Sequence, residues 1–557
     1  MSRSALAVYL LMLLLIGVGY LAIMPVFEGF DETAHFSSLR EVADARRIPK
    51  YGKSYLDKEA SKYHGPRNYD SLEPPFDRGL TYSKFFAQSD LVTDYLDEYR
   101  RATPRASYAA GEGLNWEAQH PPLYYVLMAP VTKITENVSF VAQIFWLRLA
   151  SYGLALVGVA IGLLAAKRGS SLGGSAAVTG FLLYPLVFPM FFLEFTRIGN
   201  DSLCLFLTGL LAFLLPLWRK DKDSRKIALL IGVTLGFGLL TKAFLIPITA
   251  ALVLFTVAPL VRKMGERDRE ALTFLWILAP ALLIGAGWYA FKFAVYGDII
   301  GSDDAIRLAQ RGGLITNLRE NGSIYGLLRG LTATAVSWSW AGTWSLTRLP
   351  PLIHMPLLIL TAWVIAAFAL EVRARPLADS LWLTVWLFLI FGSGFLYHAI
   401  ESIAINGNGN TPGWYLHILM PWVAPAIGVS ACSIWRQQRL RVVFIGLLVY
   451  AFLFQVMAVW SQFALFTGCA VKGDNKYFVY SGHAFCLDET PVLINRLAVL
   501  GWPVVAAIAF CGGLACAAFL VVQILRTKPI ENSPYPATSS NSRNPPSVSS
   551  ASKHSPP

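Results

Sequence analysis

Apolar runs of about twenty residues, long enough to cross a bilayer as helices, recur from one end of this chain to the other. The first covers residues 5–24 and carries no charge. A polar stretch, 25–139, follows. It is too long for a simple connector and reads as a folded or docked loop domain. Within it, Phe36, Leu39, Val42 and Ala43 recur at helical spacing, predicting an amphipathic helix over 34–47 that Pro49 ends. Residues 50–112 read as irregular. Apolar segments resume at 140–166, 175–193 and 201–218, the last two separated by the polar residues 194–201. Residues 227–261 form one long apolar run broken only at Thr241-Lys242. Basic pairs flank it on both sides, which predicts a hairpin of two short helices with Lys242 at the tip. Further spans are expected at 271–293, up to Arg373, at 380–397, 414–435, up to residue 466, and at 493–524. The fold class is all-α and polytopic, with about twelve transmembrane helices.

These patterns divide the chain into a first transmembrane helix (1–24), a large extracytoplasmic loop with juxtamembrane helices (25–139) and transmembrane helices 2–7 (140–293). A second outer loop (294–351), C-terminal transmembrane helices (352–525) and a disordered cytoplasmic tail (526–557) follow. Lys/Arg clusters near 167, 219, 262, 373, 436 and 526 all fall on one side of such a bundle. By the positive-inside rule that side is cytoplasmic, as are both termini, and the long polar loops face outward.

Composition adds two points. The chain is 55% hydrophobic and 15% charged, which excludes an ordinary soluble protein of this length. The net charge of +12 could suggest nucleic acid. The basic residues sit between apolar runs, however, so the charge reports topology and no nucleic-acid partner is expected. The N-terminal run resembles a signal peptide but is long for one. Met24-Pro25-Val26-Phe27 is a poor cleavage site, so an uncleaved helix is expected. Four of the six cysteines lie in apolar runs and read as small buried residues. Cys469 and Cys486 share a polar loop, where a disulfide is plausible outside the cytoplasm.

Candidate chemistry gathers on the outer face. Glu28, Asp31, Glu32 and His35 follow the first helix. Such acids either cap a helix or act as a base or cation ligand. Arg197, Asn200 and Asp201 lie in the turn before the fourth span, with the same two readings; Asp31 and Asp201 on one face could share a divalent cation, Mg or Mn. Lys242, alone among apolar residues, either snorkels or binds phosphate. Glu117 and His120 precede Pro121-Pro122; His120 is either a ligand or a structural hydrogen-bonder. Trp338, Trp340 and Trp344 form an interfacial belt, a sugar platform or a path along an isoprenoid. Tyr415 and His417 lie at the outer end of a late helix, as substrate contacts or as anchors.

In this order these motifs resemble the GT-C superfamily of membrane glycosyltransferases that use polyprenyl-phosphate-linked sugars. The residues are Phe30-Asp31-Glu32-Thr33-Ala34-His35-Phe36, Gln119-His120-Pro121-Pro122-Leu123-Tyr124-Tyr125, Gly199-Asn200-Asp201-Ser202-Leu203 and Leu240-Thr241-Lys242. The chain is similar to the bacterial protein mannosyltransferase and aminoarabinose transferase group, and to a bacterial branch opening with Asp-Glu-Pro-Ala-His-Phe, where Thr33 here replaces the proline. Motifs cover roughly the first 290 residues; beyond them only topology agrees. Gly413-Trp414-Tyr415 lacks an arginine that the branch often carries, which gives Lys242 more weight at a phosphate. The resemblance implies a GT-C bundle in the bacterial inner membrane, transferring a hexose or pentose from a polyprenyl-phosphate donor to an envelope acceptor. Asp31, Glu32 and Asp201 are then catalytic, and Lys242, Arg197, Asn200, His120, His35 and Tyr415 bind substrate. The competing classes are a secondary transporter or lipid or glycan flippase, and a non-catalytic envelope-assembly scaffold. The transporter reading lacks a half-to-half repeat and a pair of matching broken helices.

Overall fold

The computed structural model describes residues 3–67, 80–168, 174–261, 268–301, 303–346, 349–374, 379–409, 411–472, 478–480 and 483–526. The chain is a multi-pass, all-helical membrane protein. Among the described residues, nine helices are long and apolar enough to cross a bilayer. They are joined by shorter helices, including α5 (Gly174–Val187), α8 (Arg225–Leu239) and α9 (Leu245–Val261). The sequence-predicted hairpin over 227–261 is therefore two helices, α8 and α9, with Thr241 and Lys242 in the turn between them. Of the expected tail, 526–557, everything after Arg526 lies outside the described residues.

The spanning helices near the site are α1 (Arg3–Ile23), α4 (Phe140–Arg168), α7 (Asp201–Lys220) and α14 (Met420–Arg436). Helix α1 packs on the last helix, α17 (Pro503–Arg526), so the two ends of the described chain close the bundle on each other. Helices α4 and α7 meet where Gly158 and Gly209 face each other's backbone; a Cβ at either would strike the other helix. Such close approach favours dispersion and weak hydrogen bonds where lipid supplies no hydrophobic drive.

Two spans differ from their pattern: the run 175–193 splits into Gly174–Val187 and the short helix Met190–Phe195, with Pro189 between them, and the last run splits as well. The run 493–524 reads as a single helix, but it breaks into Thr490–Leu500 and Pro503–Arg526. Pro503 cannot continue the preceding hydrogen-bond ladder, and Trp502 N–H donates instead to Ala22 O at 2.9 Å. Arg100, from the long segment that follows α1, covers the freed carbonyls of Ala498 and Gly501 at 2.9 and 3.0 Å.

The long segment between α1 and α4 is more ordered than its composition suggests. Strands β1 (Tyr55–Asp57) and β2 (Ala110–Leu114) pair antiparallel, with Tyr55 opposite Leu114 and Asp57 opposite Ala110. Strand β1 packs on α2 (Glu32–Ala45), the amphipathic helix the sequence predicts. Of the four cysteines expected to be buried, only Cys204 is; Cys432 and Cys516 are half-buried and Cys511 is exposed. Cys469 and Cys486 are disulfide-bonded.

Candidate functional site

The site is built around the start of α2. Asp31 precedes it with a left-handed backbone, φ 57°, which aspartate tolerates better than most residues. It stands at the N-cap position but makes no capping hydrogen bond. Its Oδ1 instead accepts the indole N–H of Trp116 at 2.8 Å. The capping reading of this acid therefore fails: the side chain is turned away from its own helix and stays half-buried.

Asn115 is what brings Trp116 there. Its Nδ2 donates to Ala34 O at 3.1 Å and Ser38 Oγ at 3.0 Å on α2. Its Oδ1 accepts the Glu117 N–H at 3.0 Å and so caps the short 3-10 turn Trp116–Gln119. That turn places Glu117, buried, between two imidazoles. His120 Nε2 lies 2.7 Å from Glu117 Oε2, and His35 Nε2 lies 3.5 Å from the same oxygen. The two rings lie nearly parallel, 6.3 Å apart. His35 Nδ1 bonds Tyr125 Oη at 2.9 Å. Burial lowers the pKa of His35 to about 3, so its imidazole is neutral.

The second half of the site is an ion cluster at the start of α7. Asp201 is fully buried, and both its oxygens accept from Lys242 Nζ at 2.8 Å. Arg197 Nη2 bridges Asp201 Oδ2 and Glu194 Oε1, each at 2.7 Å. Arg197 Nη1 reaches across to Phe30 O at 3.1 Å. Lys242 is 4% exposed, with its ammonium 4.4 Å from the Tyr415 ring centroid and 5.0 Å from that of Phe244. It is not snorkelling. The α8–α9 turn that carries it is fastened by Leu123 N–H donating to Leu240 O at 3.0 Å and by Asn200 Nδ2 donating to Thr241 O at 3.4 Å.

Asp31 lies within electrostatic reach of this cluster. Burial, and then the Glu117 carboxylate, push its pKa up; Arg197, the Trp116 hydrogen bond and Lys242 pull it down. The balance stands at about 7. Glu117 goes the other way: burial raises it, but His120 and its neighbours outweigh that and hold it at about 2.

Glu32 does not share this freedom. Its Oε1 accepts Arg148 Nε at 2.7 Å and the Ile198 N–H at 2.9 Å; its Oε2 accepts Arg148 Nη2 at 2.6 Å and the Gly29 N–H at 3.0 Å. Arg148 also donates to Met24 O and Pro25 O at 2.6 and 2.7 Å. With both oxygens engaged, Glu32 is a strut that ties α1, α2 and α4 together, and the catalytic role expected of it is withdrawn.

The residues do not fit a cation shared by Asp31 and Asp201. Asp201 already accepts two fixed cations, which would repel a third charge brought to the same oxygens. Among the described residues no group of three or more His, Cys, Asp or Glu is arranged to hold a metal. Tyr415 stands at the cluster, through its ring against Lys242, whereas His417 is buried and bonds Tyr184 Oη at 3.0 Å.

Sequence reasoning singled out Glu117 without giving it a site role, and missed Trp116, Glu194 and Arg148. The neighbouring His120 was a usable signal for the first two. For Glu194 and Arg148 none existed, because each has its meaning only through a partner.

A family of membrane proteins matches residues 14–404, a span that holds every site residue except Tyr415. The chain belongs to DUF2142, described as predicted membrane proteins. No curated protein matches this DUF2142 member. It is similar to the solved structure of ArnT from Cupriavidus metallidurans bound to undecaprenyl phosphate, at 14% identity over 93% of this chain and 76% of that one, TM-score 0.43. ArnT in the apo state aligns at 16% identity over 79% and 71%, TM-score 0.33. The Archaeoglobus fulgidus oligosaccharyltransferase tethered with an acceptor peptide aligns at 13% identity over 84% of this DUF2142 chain and 55% of that chain, TM-score 0.37.

Proposed function

We propose that this protein is a glycosyltransferase of the bacterial inner membrane, moving a hexose or pentose from a polyprenyl-phosphate donor to a hydroxyl of an envelope glycolipid, glycan or protein on the outer face. The observation that carries the reading is Asp31: a half-buried carboxylate, oriented by Trp116, with a proton affinity suited to neutral pH and a cationic cluster beside it. A general base is most effective when its pKa lies near the working pH.

The acceptor hydroxyl gives its proton to Asp31 and its oxygen bonds to the anomeric carbon. The bond from that carbon to the phosphate oxygen breaks, and polyprenyl phosphate leaves with the electron pair. Configuration inverts. Lys242 and Arg197 stabilise the departing phosphate; Asp201 and Glu194 hold those two cations in place. No step requires a metal ion, so a chelator is expected to leave the rate unchanged.

Asp31→Asn is expected to lower transfer about 10²–10⁴-fold, the usual contribution of a positioned base, with protein abundance retained. Mass spectrometry of envelope glycolipids and glycans from cells carrying the variant checks this. An unchanged product in D31N cells with full abundance overturns the assignment, and solute uptake by proteoliposomes without any glycosyl product favours a transporter.

A further inference from the structure

Glu28 and the tryptophan-rich run ending at Trp344 take no part in that chemistry, yet the structure joins them. Glu28 is fully buried, and no basic side chain pairs with it among the described residues. Its Oε1 accepts Tyr82 Oη at 2.6 Å and Ser345 Oγ at 2.8 Å; its Oε2 accepts Thr343 Oγ1 at 2.7 Å and Ser345 Oγ at 3.0 Å. Its main-chain carbonyl accepts the Trp344 N–H at 2.9 Å. Gly342, at φ +80°, turns the chain into this contact. One carboxylate thus gathers the long segment after α1, the segment after helix Ile324–Ser339 and, through the Tyr82 ring against Phe466, the end of helix Gln438–Phe466.

A buried charge without a counter-ion is costly, and three hydroxyl donors make it tolerable only in this one geometry. What the geometry secures lies next to Asp31. Trp344 packs edge-on against Phe30, centroids 5.7 Å apart, and Trp414 stacks on the same ring at 4.1 Å. Phe30 also has its carbonyl held by Arg197. Trp338 and Trp340 are buried in the core, so an interfacial belt does not describe the run.

We propose that Glu28 is a positioning residue: it latches segment 343–345 to the site, and through Trp344 and Phe30 fixes the backbone from which Asp31 projects. The inference rests on reading Asp31 as the reactive group, but its test needs no turnover. The full chain, in nanodiscs with 5-fluorotryptophan, is followed by ¹⁹F NMR, with Trp344→Phe assigning the Trp344 line. Breaking the latch from either side, by E28L or by T343V with S345A, is expected to shift and broaden that line in the same way. The triple variant is expected to add nothing to E28L, since coupled residues act as one unit. A Trp344 line unmoved in folded E28L, or moved additively by the two changes, overturns the latch. The Trp116 line reports Asp31 through their hydrogen bond. It is expected to titrate with a shifted midpoint in E28L, and an unchanged midpoint overturns the positioning role. If E28L does not fold, E28Q with T343V and S345A carries the same comparison. Should D31N keep full transfer while the Trp344 line moves as stated, the latch stands and the transferase assignment alone falls.

Discussion

At the residue scale the site turns on the opposite fates of two carboxylates on adjoining segments. Asp31 is raised to about 7 and Glu117 lowered to about 2. Environments that push two acids apart in this way separate their roles: one exchanges protons near neutrality and the other stays charged. Removing the negative neighbour stabilises the ionised Asp31, so Glu117→Gln is expected to move the acidic limb of the transfer rate to lower pH. Removing the hydrogen-bond donor does the reverse, so Trp116→Phe is expected to move it to higher pH. Rate–pH profiles of the two variants check this; shifts in the same direction would point to general damage.

The same shift makes a stability statement. The folded protein holds the Asp31 proton more tightly than an unfolded chain, whose aspartate titrates near its ordinary 3.8. The stability this contributes is fully present below that value and is lost as pH rises through about 7. Asp31→Asn removes the buried charge, so above pH 7 the variant is expected to melt at a higher temperature than the parent. Thermal melts at pH 5 and pH 8 test it: pH 5 already lies inside the window between 3.8 and about 7, so a small gap is expected there and the full gap at pH 8. A variant that is more stable and less active at one pH marks a functional rather than a structural carboxylate.

At the element scale, Glu32 and Arg148 decide how α2 sits on the membrane helices. The pair is buried and every Glu32 oxygen is bonded. Glu32→Ala strands the Arg148 guanidinium in the interior and is expected to cost about 3–5 kcal/mol. Denaturant titration in detergent measures it, and little loss of stability would return Glu32 to the list of reactive groups. Periodicity made α2 legible to within two residues because Phe36, Leu39 and Val42 line one apolar face, although the folded protein buries the helix on every side from Glu32 to Glu41. The α8–α9 hairpin was legible too, because a lysine interrupting an apolar run needs somewhere polar to go. The break at Gly501-Trp502 was not, since an apolar run reads alike whether continuous or bent.

At the scale of the whole molecule, the long segment after α1, the segment around 343–345 and the end of helix Gln438–Phe466 meet at Glu28, beside the site. The Cys469–Cys486 disulfide closes a loop of sequence separation 17 just beyond that helix. Replacing both cysteines with serine is expected to cost about 3 kcal/mol, by releasing a loop of that length in the unfolded state. Melting with and without reductant checks this: reductant should lower the midpoint of the parent and leave the double variant unmoved.

Hydropathy alone established a polytopic helical membrane protein. The spans follow from transfer energies that act on each segment independently. Hydropathy also predicted one face of the bundle for Asp31, Asp201 and Lys242, since alternating spans put their turns on the same side. Only the tertiary structure separated their roles. Asp31 and Glu32 are neighbours in sequence and equal in chemistry; one is held by an indole and the other by Arg148, 116 residues away. Whether a carboxylate is a base, a strut or a latch depends on the charges and donors around it. Here those arrive from the 116–120 turn, α4, α7 and the 343–345 segment, which come together only when the chain is folded.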